Sequence, residues 1–351
     1  MTFEIALIPG DGIGTEVTDA TVPVVEDLAQ RHGFHVETTR FDWGSRRYLD
    51  EGAMMPDDAL DTLADFDAIF LGAVGHPDIK DHVSLRGLIL PIRKAFDQYV
   101  CERPSVLMEG IESPLAGYEG GDIDFVVYRE NTEGEYADVG GREHQGHDHE
   151  IAIQSGVFTR VGVERIVRAA FEAATERRNK LTNVTKSNAQ AYGMVLWDEV
   201  VEEVAEEYPQ VEVERLLVDA ASMDLIRRPE EFDVIVASNL FGDILTDIGA
   251  IVSGSMGLAP SANYNPENEY PGMYEPVHGS APDIMGKGIA NPLGAILSAS
   301  MMLDDLGESA AAADLWDAVE AQLADPDAPR TADIGGDAGT MDVVEDLRQR
   351  L

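Results

Sequence analysis

The 351-residue chain has one cysteine, Cys101, so no intrachain disulfide can form, and the thiol reads as a small packed residue. Lysine is almost as scarce: only Lys80, Lys94, Lys180, Lys186 and Lys287 occur, and the rest of the 25 basic residues are arginine. Against them stand 66 acidic residues, for a formal net charge of −41. Such a charge repels phosphate backbones and anionic lipid heads, which excludes nucleic acid and membrane as natural partners. Long hydrophobic runs are missing too, because Gly, Pro or Asp interrupts every apolar stretch before it could span a bilayer. The opening segment MTFEIALIPGDG lacks a basic leader region and enters a strand-like pattern at once, which points to the cytoplasm. What the chain does have is 44% hydrophobic residues, enough for a sizeable core, and a length that suggests about two domains.

The acids are spread along the whole chain and do not form a tail. So much like charge strains a compact fold at low ionic strength, and concentrated salt relieves it by shortening the screening length to ~3 Å at 1 M. The composition therefore implies a halophilic protein working in a salt-rich cytoplasm; the alternative is an ordinary acidic enzyme. In this background an acid carries little information, whereas a basic residue or a long charge-free stretch carries more.

Strand and helix patterns alternate. Strands are expected at 3–8, 35–41, 68–74, 123–130, 152–158, 180–186, 213–219 and 233–239, and helices at 15–31, 86–97, 160–177, 190–207, 241–253 and 293–305. This is an α/β pattern around a large, mostly parallel sheet. No low-complexity linker occurs, so two domains sharing a wide cleft are expected.

Five segments could carry chemistry. P-G-D-G-I-G at 9–14 follows a strand and precedes a helix, but Thr15 stands where a dinucleotide fingerprint needs its last glycine, so a tight turn is the better reading. Between Asp233 and Glu267 only Asp243 and Asp247 are charged, which reads as a buried segment. These two lie four apart and share one helix face. Buried and unpaired, they would repel, and a divalent cation with oxygen ligands, Mg²⁺ or Mn²⁺, would resolve the conflict. Asp219, ending the strand VERLLVD, is a candidate third ligand; helix capping or a salt bridge to Arg is the alternative. Lys186 closes NVTKSN at a strand end, where α/β sites lie, or is a plain surface lysine. Arg93, Arg103 and Arg129 have the forked geometry that grips carboxylates, and Tyr136 in EGEYADVGG is a possible proton donor. Y-E-P-V-H-G-S-A-P-D-I at 274–284 is an irregular loop. Its Gly279, Ser280 and Ala281 are small enough for a ligand to reach backbone N–H groups. His278 can stack or hydrogen-bond there, and Asp283 can accept from ribose hydroxyls, which suits NAD. His144, His147 and His149 look like a metal tract but read as a surface loop.

Together these segments resemble the β-decarboxylating dehydrogenases, a family that acts on isocitrate, homoisocitrate, 3-isopropylmalate and tartrate/D-malate. NLFGDILTDIGA and YEPVHGSAPDIMGKGIANP carry the resemblance most specifically, and it runs from ALIPGDGIGTEV to TADIGG. YRENTEGEYADVGGR and PIRKAFDQYV look most like the tartrate/D-malate branch; isopropylmalate enzymes usually carry RELTGGIY instead. The resemblance implies an isopropylmalate dehydrogenase-like two-domain fold, not a standard Rossmann fold. Its large, cofactor-binding domain would span 1–98 and 254–351, and its small, dimer-forming domain 99–253. It implies a homodimer with shared active sites. Arg93, Arg103 and Arg129 would hold substrate carboxylates, Tyr136 would be the general acid, and Lys186 of the second subunit the base. Burial and nearby cations would lower the pKa of that lysine. Asp219 (also from the second subunit), Asp243 and Asp247 would bind the metal. His278, Gly279, Ser280, Ala281, Asp283, Ile284 and Asn291 would hold NAD. Arg86, where the family reads the substrate's third substituent, departs from the tartrate/D-malate pattern. It would face a polar group of the substrate, or else solvent or a nearby acid. The implied activity is NAD- and metal-dependent oxidative decarboxylation of a small 2-hydroxy dicarboxylic acid, D-malate or tartrate. The alternatives are 3-isopropylmalate, isocitrate or homoisocitrate as substrate, or an acidic scaffold protein without catalysis.

Overall fold

Short apolar runs closed by Gly or Pro become strands, and the helical patterns between them become helices, in the computed structural model, which describes Met1–Leu351. In chain order the strands are β1 Thr2–Gly10, β2 His35–Arg40, β3 Ala68–Ala73, β4 Val100–Val106, β5 Asp124–Glu130 and β6 Gly134–Glu143. They continue with β7 Ile151–Val157, β8 Lys180–Thr185, β9 Glu212–Leu217, β10 Val234–Ala237, β11 Pro260–Tyr264 and β12 Gly272–Pro276. The chain divides into two compact units. Unit 1 comprises Met1–Gln98, Arg103–Ile123 and Ala250–Leu351; unit 2 comprises Tyr99–Glu102 and Asp124–Gly249.

In unit 1 the strand order is β2-β1-β3-β12-β11, followed by the later residues of β4. β1 pairs in parallel with β2 and β3, β12 is parallel to β3, and β11 is antiparallel to β12. Every residue of β3 is buried, as a parallel strand covered on both faces requires. The helix Gly14–His32 turns Val17, Ala20, Val24, Val25 and Leu28 inward. It ends at Gly33, whose φ of 81° suits a residue without Cβ and whose N–H donates to the Ala29 carbonyl. Trp43, Met54, Leu71, Leu88, Ile92 and Phe96 belong to one buried cluster on this sheet. The expected helix at 86–97 is finer-grained than the pattern implies: α-helix over Asp81–Ser84, a π-helical turn over Leu85–Ile89, then α-helix to Ala95. Helices Ser309–Ala324 and Thr340–Arg350 are additions to the sequence expectation. In the first of them Ala311, Ala312 and Ala318 fill buried positions, and alanine gives only a weak apolar period.

In unit 2 the order is β5-β10-β8-β9, all parallel, with Val100–Glu102 of β4 beside β5. Trp197, Phe125, Phe171 and Phe232 are fully buried. The Asp233 side chain, 0% exposed, accepts from Arg177 Nε and from the Arg178 N–H, each at 2.8 Å. The strand expected at 152–158 forms as β7 and pairs only with β6, as an antiparallel arm outside the main sheet. One expectation needs correction: the strand at 213–219 stops at Leu217, and Val218 opens the helix Val218–Arg227, so Asp219 lies in a first helical turn. The reason is visible in ASMDLIR, whose Ala221, Asp224 and Leu225 repeat at helical spacing. The histidine tract forms the exposed connection of the arm, with the His144 and His149 rings 4.5 Å apart. No helix is long and apolar enough to cross a membrane.

Several of the scarce cations are shared among two or more acids. Arg228 reaches Glu214, Asp224 and Glu231; Arg350 reaches Asp325 and Asp346; Arg168 reaches Glu164 and Glu207. With 66 acids to 25 bases, pairing inside the chain cannot neutralise the surface. The midpoint of thermal unfolding should therefore rise as KCl goes from ~0.1 to ~1 M, over which the screening length falls from ~10 to ~3 Å. A flat or falling curve would count against salt adaptation.

Candidate active site

In unit 2 the candidate side chains sit at or just beyond strand ends and on the helix Asn239–Val252. Arg129, near the end of β5, is 2% exposed. Its Nε and Nη2 donate to Asn239 Oδ1 at 3.0 and 2.7 Å, and its Nη1 donates to Asp243. The fork geometry of guanidinium allows this division. Tyr136 reaches the same carboxylate, its hydroxyl donating to Asp243 Oδ2 at 3.0 Å, and the Arg129 guanidinium lies 5.6 Å from the Tyr136 ring centroid. Gly242 is required here, because a Cβ would fall 2.7 Å from Arg129 Cβ and Cγ. The turn between Arg129 and Tyr136 folds around Glu130. Its carboxylate accepts the N–H groups of Thr132 and Glu133, both at 2.9 Å, and the Thr132 hydroxyl at 2.8 Å. Burial pushes the Glu130 carboxyl above its ordinary range, and those hydrogen bonds oppose the rise.

The expectation of two buried, unpaired carboxylates is corrected by this geometry. The Asp243 side chain keeps 38% exposure and is ion-paired to Arg129, so the salt-bridge alternative holds for it. Asp247 is exposed. Ile244 and Ile251, also about half exposed, flank Asp247 at i−3 and i+4 on one helix face.

Lys186 directly follows β8, and its Nζ donates to Asp219. Within its own chain Lys186 thus faces a carboxylate. The Lys186 hydrogen bond holds the exposed Asp219 carboxyl below its ordinary range. No three His, Cys, Asp or Glu side chains within one chain converge as a metal site, so Asp219 is not gathered with Asp243 and Asp247. The resemblance had already placed Asp219 on a second subunit.

In unit 1 Arg93 is 4% exposed, and its Nη2 donates to Glu275 Oε1 at 2.7 Å. Arg103 on β4 reaches Ser261 Oγ at 3.3 Å, and Arg86 lies in the π-helical turn. Such turns recur at functional sites because they re-aim side chains. The loop after β12 docks on the P-G-D-G turn: the Ile13 N–H donates to the Ser280 carbonyl at 2.8 Å. A Cβ on Gly12 would fall 1.9 Å from that oxygen, so glycine there serves a close approach of two loops. Gly279, Asp283 and the segment Met285–Ile289 are exposed, Ala281 and Ile284 are partly so, and Ser280 is buried. Ala281 adopts a φ of 38°. His278 Nδ1 lies 3.0 Å from the Gly279 carbonyl. A carbonyl only accepts, so Nδ1 carries the proton and Nε2 is an acceptor. Nε2 is buried without a partner, and burial holds the imidazole below its ordinary pKa, in the neutral form. Asn291 Nδ2 donates to Asp333 Oδ2 at 3.0 Å, and its Oδ1 accepts the Leu293 N–H.

Four residues that organise these groups escape the sequence reading: Asn239, Glu275, Glu16 and Asp333. Glu16 accepts the Gly288 and Ala290 N–H groups at 3.2 and 2.9 Å, and Asp333 accepts Ser255 Oγ at 2.5 Å and Thr331 Oγ1 at 2.6 Å. Three are acids in a chain full of acids. All four stand inside segments already singled out, Asn239 in NLFGDILTDIGA, Glu275 in YEPVHGSAPDI, Glu16 in ALIPGDGIGTEV and Asp333 in TADIGG, but none carried a chemical signal of its own.

Unit 2 thus brings a buried arginine and a phenol to one helix carboxylate, and unit 1 carries an exposed loop after β12. The family model for isocitrate/isopropylmalate dehydrogenase matches residues 4–347, and the chain belongs to that family. It is an enzyme, a β-decarboxylating dehydrogenase acting on a CH–OH group. It is 51% identical over 345 residues to a "probable tartrate dehydrogenase/decarboxylase" of Agrobacterium vitis, covering 98% of this chain and 96% of that one. To the D-malate dehydrogenase (decarboxylating) of Escherichia coli it is 49% identical over 352 residues, covering 98% and 97%. To the 3-isopropylmalate dehydrogenase of Thermobifida fusca it is 49% identical over 351 residues, covering 100% and 98%. The crystal structure of isocitrate dehydrogenase from Methylococcus capsulatus superimposes with a TM-score of 0.88 at 34% identity, covering 99% of each chain. The α/β architecture with its mostly parallel strands is therefore that of this family.

Proposed function

We propose that this enzyme catalyses the NAD- and divalent-metal-dependent oxidative decarboxylation of a small 2-hydroxy dicarboxylic acid, with D-malate and tartrate as the leading substrates. The observation that carries this reading is the meeting of Arg129 and Tyr136 on one carboxylate, Asp243. It puts a carboxylate-gripping cation, a proton donor and a hard oxygen ligand together. Asp243 and Asp247, with Asp219 of a second subunit, fit Mg²⁺ or Mn²⁺, which take carboxylate oxygens. The unpartnered His278 Nε2 and the exposed backbone of Gly279 and Ala281 fit a ligand such as NAD, which Ser280, Asp283, Ile284 and Asn291 would help to hold. When bound, the cation supplies charge that favours negative oxygen on the substrate, and the nicotinamide accepts the hydride.

This chain's residues supply the rest. Arg93, Arg103 and Arg129 hold the substrate carboxylates. Lys186 Nζ, acting as the free amine after releasing a proton to water, takes the proton of the 2-hydroxyl as hydride leaves the same carbon, which yields a 2-oxo acid. The bond to the β-carboxylate then breaks, CO₂ departs, and its electron pair remains as an enolate. The Tyr136 hydroxyl returns a proton to that carbon. Lys186 has gained one proton and Tyr136 has lost one, so a proton exchanged with water resets the pair.

A homodimer with shared active sites is part of this proposal. The exposed Ile244 and Ile251 around Asp247, and the exposed Met223 and Ile226 on the helix that carries Asp219, support a face covered by a second copy. The Thermobifida relative favours 3-isopropylmalate as a second reading. Arg86 opposes it, because a guanidinium gains nothing from an isopropyl group. The test is NADH formation with Mn²⁺ and a panel of D-malate, the tartrates, 3-isopropylmalate, isocitrate and homoisocitrate. D-malate or a tartrate should give the highest kcat/KM; a maximum with 3-isopropylmalate would overturn the substrate assignment.

A further inference from the structure

We propose that Asp198 is a positioning residue for Lys186, holding the turn that carries it through a clamp of three donors; this rests on the role given to Lys186 above. Asp198 lies on the helix Gly193–Ala205 and is 8% exposed. Its Oδ1 accepts from Asn183 Nδ2 at 3.1 Å, and its Oδ2 accepts from Ser187 Oγ at 2.6 Å and Arg215 Nε at 2.8 Å. Ser187 follows Lys186 directly, and its hydroxyl also accepts from Arg215 Nη2 at 2.6 Å. Asn183 cannot turn away, because the buried Trp197 indole donates to its Oδ1 at 2.8 Å.

The register shows why this clamp bears on the reacting groups. Asn183 on β8 and Arg215 on β9 are directly paired residues of a parallel ladder. Lys186 comes three residues after Asn183, and Asp219 four residues after Arg215. One buried carboxylate therefore ties together the two strands whose ends place Lys186 against Asp219. A parallel ladder alone fixes the strands up to Thr185 and Leu217, the last paired residues. Beyond them the Ala189 and Gln190 N–H groups donate to the Lys186 carbonyl, both at 2.9 Å, and the Asp198 clamp adds the side-chain tie between the two strands. Arg215 is half exposed, so its pair with the buried Asp198 carboxylate adds little stability, and what the clamp supplies is one geometry for the turn. In a chain with 25 basic residues to 66 acids, an arginine committed to that role is notable.

Ser187→Ala removes one link and leaves the Asp198–Arg215 charge paired, so the protein should fold; Asp198→Asn removes an acceptor at constant size. Each should lower kcat by about 10–100-fold, the scale of a misplacement near 1 Å, with KM for D-malate or tartrate moving less than about threefold. The second readout is direct. Reductive ¹³C-methylation labels the five lysines, and the Lys186 signal is the one that Lys186→Arg deletes. In Ser187→Ala this signal should move while the other four stay in place. An unchanged kcat, or movement of all the signals together with KM, would overturn the clamp. If Lys186→Ala keeps its turnover, the role of Lys186 fails instead, and the resonance alone then decides whether Asp198 positions it.

Discussion

Lys186→Ala should lower kcat by about 10²–10⁴-fold, the usual contribution of a positioned general base, and leave KM for the hydroxy acid nearly unchanged. The expectation follows from where the lysine stands. It directly follows β8, and its Nζ donates to Asp219. The Lys186 and Asp219 side chains are 28% and 59% exposed, so water screens this ion pair and it adds little to folding. The variant should therefore fold, and its kinetics will report chemistry. Removing the cation also relieves Asp219 of a competitor. The carboxyl pKa rises toward its ordinary value yet stays well below neutral, so Asp219 remains ionised and Mn²⁺ affinity should hold or increase. Steady-state kinetics with a Mn²⁺ titration by calorimetry separates the cases. Equal losses in kcat and in substrate affinity would mean that Lys186 binds and does not act as a base.

The residues that chemistry sets apart were legible in the chain; the residues that hold them were not. Lys186 stood out because lysine is scarce, and Asp243 with Asp247 because the 33 residues from 234 to 266 carry no other charge. Scarcity cannot reveal Glu16, Asp198 or Asp333, each an acid among 66. Their roles arise only when loops distant in sequence meet, as Glu16 meets the Gly288 and Ala290 N–H groups. The parallel strands read clearly, since full burial on both faces leaves unbroken apolar runs such as AIFLGA. The arm did not, because AIQSGV alternates like any half-buried strand and nothing local states which strand it will pair with. The failed glycine fingerprint at 9–14 was informative in its failure. Gly12 is there to admit the Ser280 carbonyl, so the glycines serve contact between two loops.

Asp243→Asn and Asp247→Asn should both abolish tight Mn²⁺ binding and turnover, but only the first should also destabilise the fold. The two residues are one helical turn apart, yet their surroundings differ. Arg129 is 2% exposed, and Asp243 is the carboxylate it pairs with across the strand–helix packing. Removing the charge of one partner leaves a buried cation less compensated, which for a fully buried pair costs roughly 3–5 kcal/mol. Asp243 keeps 38% exposure, so water replaces part of the lost partner and this range is an upper bound. Asn239 continues to hold Nε and Nη2, which confines the damage to Nη1. Asp247 lies on the exposed face between Ile244 and Ile251, where water screens the change of charge. Urea unfolding of both variants beside calorimetric Mn²⁺ titrations makes the comparison. Wild-type Mn²⁺ affinity in either variant would remove that residue from the ligand set. Equal loss of stability in both would mean that the Arg129–Asp243 pair does not anchor the site.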